Sequence, residues 1–163
     1  MIIDYENSLL YLHRIGKKEA AVYRHEMLKD TSSYSTVPIE IWNHKVVTTT
    51  SIAGKKLRLI IDSGAESNLL NSRLPDKVFD NVEILKRILL NGTGQQKVEG
   101  LYGTLNNLVI GNQNTGSLPV IIVNLEKTCI AENSCIDGIL GFDFLSLHKI
   151  GFNFVNNKMY IWK

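Results

Sequence analysis

An apolar strand that runs without a break into an acidic turn constrains this chain more than any other feature. Leu57-Arg58-Leu59-Ile60-Ile61 is followed at once by Asp62-Ser63-Gly64-Ala65. A carboxylate at the end of a β-rich apolar run is costly to bury unpaired, so a folded chain keeps it there with partners or for a use. Gly64 gives the turn backbone freedom and allows close approach. Ser63 adds a hydroxyl that can both donate and accept. Downstream, Ile136-Asp137-Gly138-Ile139-Leu140-Gly141-Phe142-Asp143-Phe144-Leu145 is a second apolar run, this one closed by glycine. Asp-Ser-Gly by itself recurs in many surface turns; the strand before it and the run after it give it weight.

From Val37 onward, short apolar or β-branched runs broken by Gly, Asn and Pro predict an all-β domain. Strands are expected over Pro38 to Trp42, Val46 to Ile52, Leu57 to Ile61, Val82 to Leu90, Lys97 to Ile110, Val120 to Val123, Ile150 to Phe154 and Lys158 to Trp162. One short helix, Phe142 to Leu147, follows the glycine run. Ahead of this domain, Lys17 to Lys29 combines good helix formers with apolar residues at mixed spacing, which reads as a short helix or a linker. The polar run Thr31-Ser32-Ser33-Tyr34-Ser35-Thr36 marks a boundary, dividing the chain into 1–36 and 37–163.

The Asp turn and the glycine-closed run, in this order, resemble the aspartic proteases of the retropepsin-like (retroviral) type. The resemblance covers Val37 to Lys163 and implies an acid-protease β-barrel lobe. It implies that Asp62 is catalytic, that Ser63, Gly64 and Ala65 support the active-site loop where two copies of the site meet, and that Gly138, Ile139, Leu140 and Gly141 form the structural run beside it. Asp137 lacks a hydroxyl residue before its glycine and reads as a turn residue. Glu66 after the alanine and Phe142-Asp143 after the second glycine depart from the viral pattern and look more like bacterial and cellular members, which leaves the substrate subsites open.

Peptide hydrolysis by carboxylates needs one ionised group to take a proton from water and one protonated group to polarise the substrate. A single Asp62 cannot do both at once. Two carboxylates held together share one proton, and the aspartic protease dyad is the familiar case of such sharing. At 163 residues the chain is the size of one domain. The second carboxylate is therefore expected from a C2 homodimer or from a second lobe, with a peptide or protein as substrate. The alternative is a retropepsin-fold binding or assembly module without catalytic activity.

Asn91-Gly92-Thr93-Gly94-Gln95-Gln96 lies between two expected strands, where the resembled family places its flap. Gly92, Thr93, Gly94, Gln95 and Gln96 are the expected tip, and the hairpin from Ile88 to Gly103 is expected to move, its glycines permitting the hinge. Without a third glycine or a following helix, Gly-x-Gly is no nucleotide fingerprint.

The two ends of the chain echo one another. Met1 to Arg14 aligns without gaps against Ile150 to Lys163, and both read as β-hairpins although only Asn7/Asn156 and Tyr11/Tyr160 are identical. The resembled family closes its domain with such a hairpin, so the first one looks like the tail of an upstream lobe; any two short hairpins also share this much pattern.

Composition narrows the field further. A net charge of +2 with mixed signs gives no basic stripe for nucleic acid. The four histidines fall at no metal-ligand spacing, and neither metal nor other cofactor is expected. No segment reaches the length of a membrane span. Cys129 and Cys135 flank Ile130 to Ser134 and can close that loop as a disulfide if the compartment is oxidising, which would favour a periplasmic or secreted location. Two free thiols are the other possibility, and two cysteines without a nearby His fall short of a metal site.

Overall fold

The computed structural model describes residues 1–20, 25–91, 97–125 and 136–163. Their strands, β1 to β14 in chain order, form one continuous sheet. β1 (Ile2–Asp4) and β2 (Leu9–Tyr11) make the N-terminal hairpin. After a helical turn, α1 (Lys17–Ala20), and a 3-10 turn at Glu26–Leu28, the chain enters β3 (Tyr34–Trp42), β4 (Lys45–Ile52) and β5 (Lys55–Ile61). Next come β6 (Leu69–Asn71), α2 (Asp76–Phe79), β7 (Val82–Asn91) and β8 (Lys97–Leu105). The short β9 (Val109–Ile110) and β10 (Gln113–Asn114) lead into β11 (Leu118–Val123) and β12 (Gly138–Leu140). Helix α3 (Phe142–Leu145) and the closing hairpin of β13 (Ile150–Asn153) and β14 (Lys158–Trp162) complete the lobe.

The spatial order is β2-β1-β13-β14-β3-β4-β5-β12-β6-β11-β8-β7, with β9 attached to β4 and β10 to β9. The path does not close; β2 and β7 stand at its two ends. Most pairings are antiparallel. Two are parallel: β12 lies beside β5, and β11 beside β6. Parallel neighbours are buried on both faces, and these segments are strongly apolar: Leu59, Ile60, Ile61, Ile121, Ile122 and Leu140 are all buried.

One core gathers side chains from almost every element, with Val37, Leu57, Leu59, Leu70, Leu118, Leu140, Phe144, Ile150 and Met159 among its members. Alternation sets which residues enter it. In β5, Leu57, Leu59 and Ile61 point to this core, while Ile60 joins Val47 and Ile136 in a smaller cluster on the other side, flanked by Trp42 and Ile139.

The all-β expectation holds, with three differences of detail. Strand β3 starts at Tyr34 inside the polar run, because Tyr34, Ser35 and Thr36 pair with Trp162, Ile161 and Tyr160 of β14. The expected Lys97 to Ile110 strand is two, β8 and β9, interrupted where Asn107 adopts φ 61°. Helix α3 ends at Leu145, two residues before the expected Leu147.

Candidate active site

The Asp turn begins where two parallel strands end together. Gly138, Ile139 and Leu140 of β12 stand opposite Leu59, Ile60 and Ile61 of β5. The ladder has one further rung, in which the Asp62 N–H donates to the Leu140 carbonyl at 3.0 Å. The chain then folds back on itself. The Gly64 N–H donates to Asp62 Oδ1 at 2.8 Å, and the Ala65 N–H to the Asp62 carbonyl at 3.2 Å. These bonds fix the carboxylate by one oxygen while Asp62, Ser63 and Gly64 stay exposed. A side chain at position 64 would press against that oxygen, at 3.2 Å from its Cβ, which is a local reason for glycine there.

The second half of the turn is tied to the glycine run. The Phe142 N–H donates to the Ala65 carbonyl at 2.8 Å and the Asp143 N–H to Glu66 at 3.3 Å. Gly141 sits against this backbone so closely that a Cβ would lie 2.6 Å from the carbonyl oxygens of both Ala65 and Ser67. Gly138 is in the same situation against the Leu69 carbonyl. Ser63, Gly64 and Ala65 thus share one turn with Asp62, and Gly138, Ile139, Leu140 and Gly141 form the strand and bend that brace it.

One bracing residue escaped the sequence reading. Asn68 is fully buried; its Oδ1 accepts the Gly141 N–H at 3.0 Å, its Nδ2 donates to the Pro119 carbonyl at 3.0 Å, and its own carbonyl accepts the Ile121 N–H at 2.9 Å. It joins the glycine run to β11 underneath the turn. The available signal was a polar residue set directly against Leu69-Leu70, where a buried amide must find partners.

Asp137 does structural work. Its half-buried carboxylate accepts the Arg58 N–H at 2.8 Å, its N–H donates to the Arg58 carbonyl at 2.9 Å, and its carbonyl accepts the Asn71 N–H at 2.9 Å. It locks the start of β12 between β5 and β6, in keeping with its reading as a turn residue.

The expected flap tip, Gly92 to Gln96, and the cysteines Cys129 and Cys135 lie outside the described residues. The stem of the hairpin is described, and part of it differs from expectation. Gly100 and Gly103 are buried in β8 and act as close-packing sites in place of hinges: a Cβ at Gly100 would lie 3.2 Å from Ile121 Cγ2 and the Ile122 carbonyl, and one at Gly103 would strike the Glu83 carbonyl. Leu101, Tyr102 and Gly103 pair with β11 as well as β7, so the base of the hairpin belongs to the sheet. Nearer the tip, Arg87, Ile88, Leu89 and Glu99 line a cleft of about 520 Å³ together with Ser72 and Val123; Asp62 is not part of its wall. Among the described residues no group of three or more His, Cys, Asp or Glu is placed to hold a metal ion. Among the described residues no helix is long and apolar enough to cross a membrane.

Residues 48–144, which contain both the Asp turn and the glycine run, match the family model of the aspartyl proteases, and the chain belongs to that family. Among solved structures it is similar to a retropepsin-like aspartic protease from Rickettsia conorii, at 15% identity over 78% of this chain and 89% of that one, with a TM-score of 0.50. A likeness at that identity speaks for the fold: the lobe is retropepsin-like. No curated protein matches the chain.

Proposed function

We propose that the chain is one half of an aspartic endopeptidase in which Asp62 supplies one carboxylate of a dyad and a second lobe or subunit supplies the other. The observation that carries the reading is the exposed Asp62 carboxylate, held by the Gly64 N–H at the end of the parallel β5–β12 pair. A group displayed on so rigid a base is positioned for chemistry at the surface of the lobe, where a symmetric counterpart can reach it.

In the assembled site the ionised carboxylate takes a proton from a water molecule as the water oxygen attacks the scissile carbonyl carbon. The protonated carboxylate gives its proton to the carbonyl oxygen, and the tetrahedral diol forms. Collapse of the diol breaks the C–N bond, with the nitrogen leaving as an amine after protonation by the dyad. Asn68, Gly138 and Gly141 would act through the turn by keeping Asp62 in place. The β7–β8 hairpin would cover the peptide, a role that falls to its tip.

The test is cleavage of a denatured protein substrate at acidic pH by the natural polypeptide that carries this sequence, with and without pepstatin. The reading requires pepstatin-sensitive cleavage that disappears in the Asp62→Asn variant. Cleavage that survives that substitution would overturn it, and a folded protein that binds peptides without cutting them would make this a binding module.

A further inference from the structure

The two terminal hairpins are related by a local two-fold axis, and one of them leaves its outer strand, β2, exposed. When Met1 to Arg14 is matched to Ile150 to Lys163, Ile2 corresponds to Gly151, and these two residues are paired with each other across the β1–β13 ladder. The axis passes between them. Met1 and Phe152 exchange backbone hydrogen bonds at 2.9 and 2.7 Å, and exchanging the hairpins turns that pair into Ile150 and Ile3, which are also partners. Within the hairpins the registers coincide: Ile2–Tyr11, Ile3–Leu10 and Asp4–Leu9 become Gly151–Tyr160, Phe152–Met159 and Asn153–Lys158. Even the turns agree. Asp4 Oδ1 accepts the Asn7 N–H as Asn153 Oδ1 accepts that of Asn156, and Ser8 and Asn157 carry φ of 54° and 51°.

The surroundings do not agree. Met159 and Ile161 are 0% and 2% exposed in the core of the lobe, whereas their counterparts Leu10 and Leu12 are 57% and 70% exposed. The outer edge of β14 carries β3, whereas the outer edge of β2 carries no strand among the described residues. Tyr5 packs its ring edge-on against Phe142, centroids 5.3 Å apart, while its counterpart Phe154 is 46% exposed. A two-fold perpendicular to an antiparallel ladder keeps each face of the sheet on its own side. The missing contacts of Leu10, Leu12 and Phe154 therefore all lie where rotation would place a second copy of the lobe's core.

We infer that the β1–β2 hairpin is the closing hairpin of a second retropepsin-like lobe, which docks a β3-like strand on the outer edge of β2 and buries Leu10, Leu12 and Phe154. The inference rests on the protease reading for what the assembly does, but on the symmetry for where it forms. The occupant is a lobe without a closing hairpin of its own. A second copy of this chain does not fit, because Tyr34 to Pro38 of its β3 are already paired with its own β14, and the β13 edge that a symmetric dimer would use is taken by β1. The same rotation brings the partner's acidic turn to the side of the shared sheet where Asp62 lies.

Amide exchange at Leu9 to Leu12 tests this, compared between the 163-residue chain and the natural polypeptide that contains it. The outward amides of β2 should exchange at least about 100-fold more slowly in the natural polypeptide, as expected for an edge strand that becomes internal. A Leu10→Ser, Leu12→Ser variant should lose that protection and its peptidase activity, while the same double substitution leaves the melting of the 163-residue chain unchanged. Equal exchange in the two proteins would overturn the inference. So would protection in the 163-residue chain that rises with concentration, since the occupant would then be a second copy. Protection without peptide cleavage would leave the docked lobe standing and remove the protease reading; cleavage by a monomer with open β2 amides would do the reverse.

Discussion

Two aspartates stand at opposite ends of the same parallel strand pair in this lobe, and they have opposite occupations. Asp137 opens β12, half-buried, with its carboxylate accepting the Arg58 N–H and its main chain bonded to both Arg58 and Asn71. Asp62 follows β5, exposed, with its carboxylate bonded to the Gly64 N–H of its own turn. One carboxylate is spent on the fold and the other is left available. The hydroxyl residue between Asp and Gly is the local mark of the difference, but the partners decide it: an acceptor that a half-buried N–H of the neighbouring strand depends on is not free to exchange protons with a substrate.

The largest effect should come from Asp62. Asp62→Asn removes the proton acceptor while keeping an oxygen for the Gly64 N–H, so cleavage by the assembled enzyme should fall by at least about 10³-fold. The melting temperature should stay within about 1 °C, since an exposed substitution that preserves its hydrogen bond costs little. If Asp137→Asn instead abolished cleavage without loss of stability, the two roles would have to be exchanged.

Gly141→Ala should come next, and it should strike both properties. The added Cβ meets two backbone oxygens at 2.6 Å, and backbone cannot rotate out of the way as a side chain would. A cost of about 3 kcal/mol is expected, together with a lower kcat, because the strain is relieved by moving Ala65 and Ser67 and with them the Asp turn. Denaturant melting with parallel activity measurement checks both. Intact activity in a destabilised protein would show that the glycine run supports the fold alone.

How much of this was legible in the sequence follows from the range over which each feature is decided. The strand into the Asp turn, the glycine-closed run and the hairpin echo are local patterns of apolar alternation and turn residues, and the structure contains all three. Strand β6 was not legible, because Leu69-Leu70-Asn71 is too short to show a period and is a strand only through neighbours at β11 and β12. The same holds for β10, whose Gln113-Asn114 has no apolar residue, and for α2, a single turn behind Pro75. Gly100 and Gly103 read as hinges because sequence shows that a side chain is missing but not whether space or a neighbour takes its place. Asn68 shows the same limit for a polar residue: its partners, Gly141 and Pro119, are distant in the chain.

Asp137 itself gives the third test. Asp137→Ala leaves the Arg58 N–H without its acceptor, a loss of about 2 kcal/mol, whereas Asp137→Asn keeps an acceptor oxygen and should recover most of it. Cleavage per folded molecule should be unchanged in both. A fall in activity that the Asn variant does not rescue would bring Asp137 into the chemistry and erase the contrast with Asp62.

A third carboxylate, Asp4, extends the contrast to the N-terminal hairpin and supplies the smallest effect. It is buried, and the Lys149 ammonium 2.7 Å from its Oδ2 holds its carboxyl below the usual carboxylate range; burial opposes this and the Asn7 bonds add to it. Because the folded-state pKa is depressed, the stabilisation is fully present above the unfolded value of about 4 and is lost as pH falls through the folded value. Asp4→Asn keeps the turn that its counterpart Asn153 makes without a charge, and removes the ion pair. Lys149 is partly exposed and can return to water, so the cost at neutral pH should be about 1 kcal/mol. Denaturant melts of both proteins from pH 7 down to pH 3 should show a constant difference above about pH 5 that shrinks below pH 4. A difference that persists at pH 3 would mean that Asp4 acts through its hydrogen bonds to Asn7 and owes nothing to its charge, leaving Asp137 as the nearer model for a carboxylate committed to the fold.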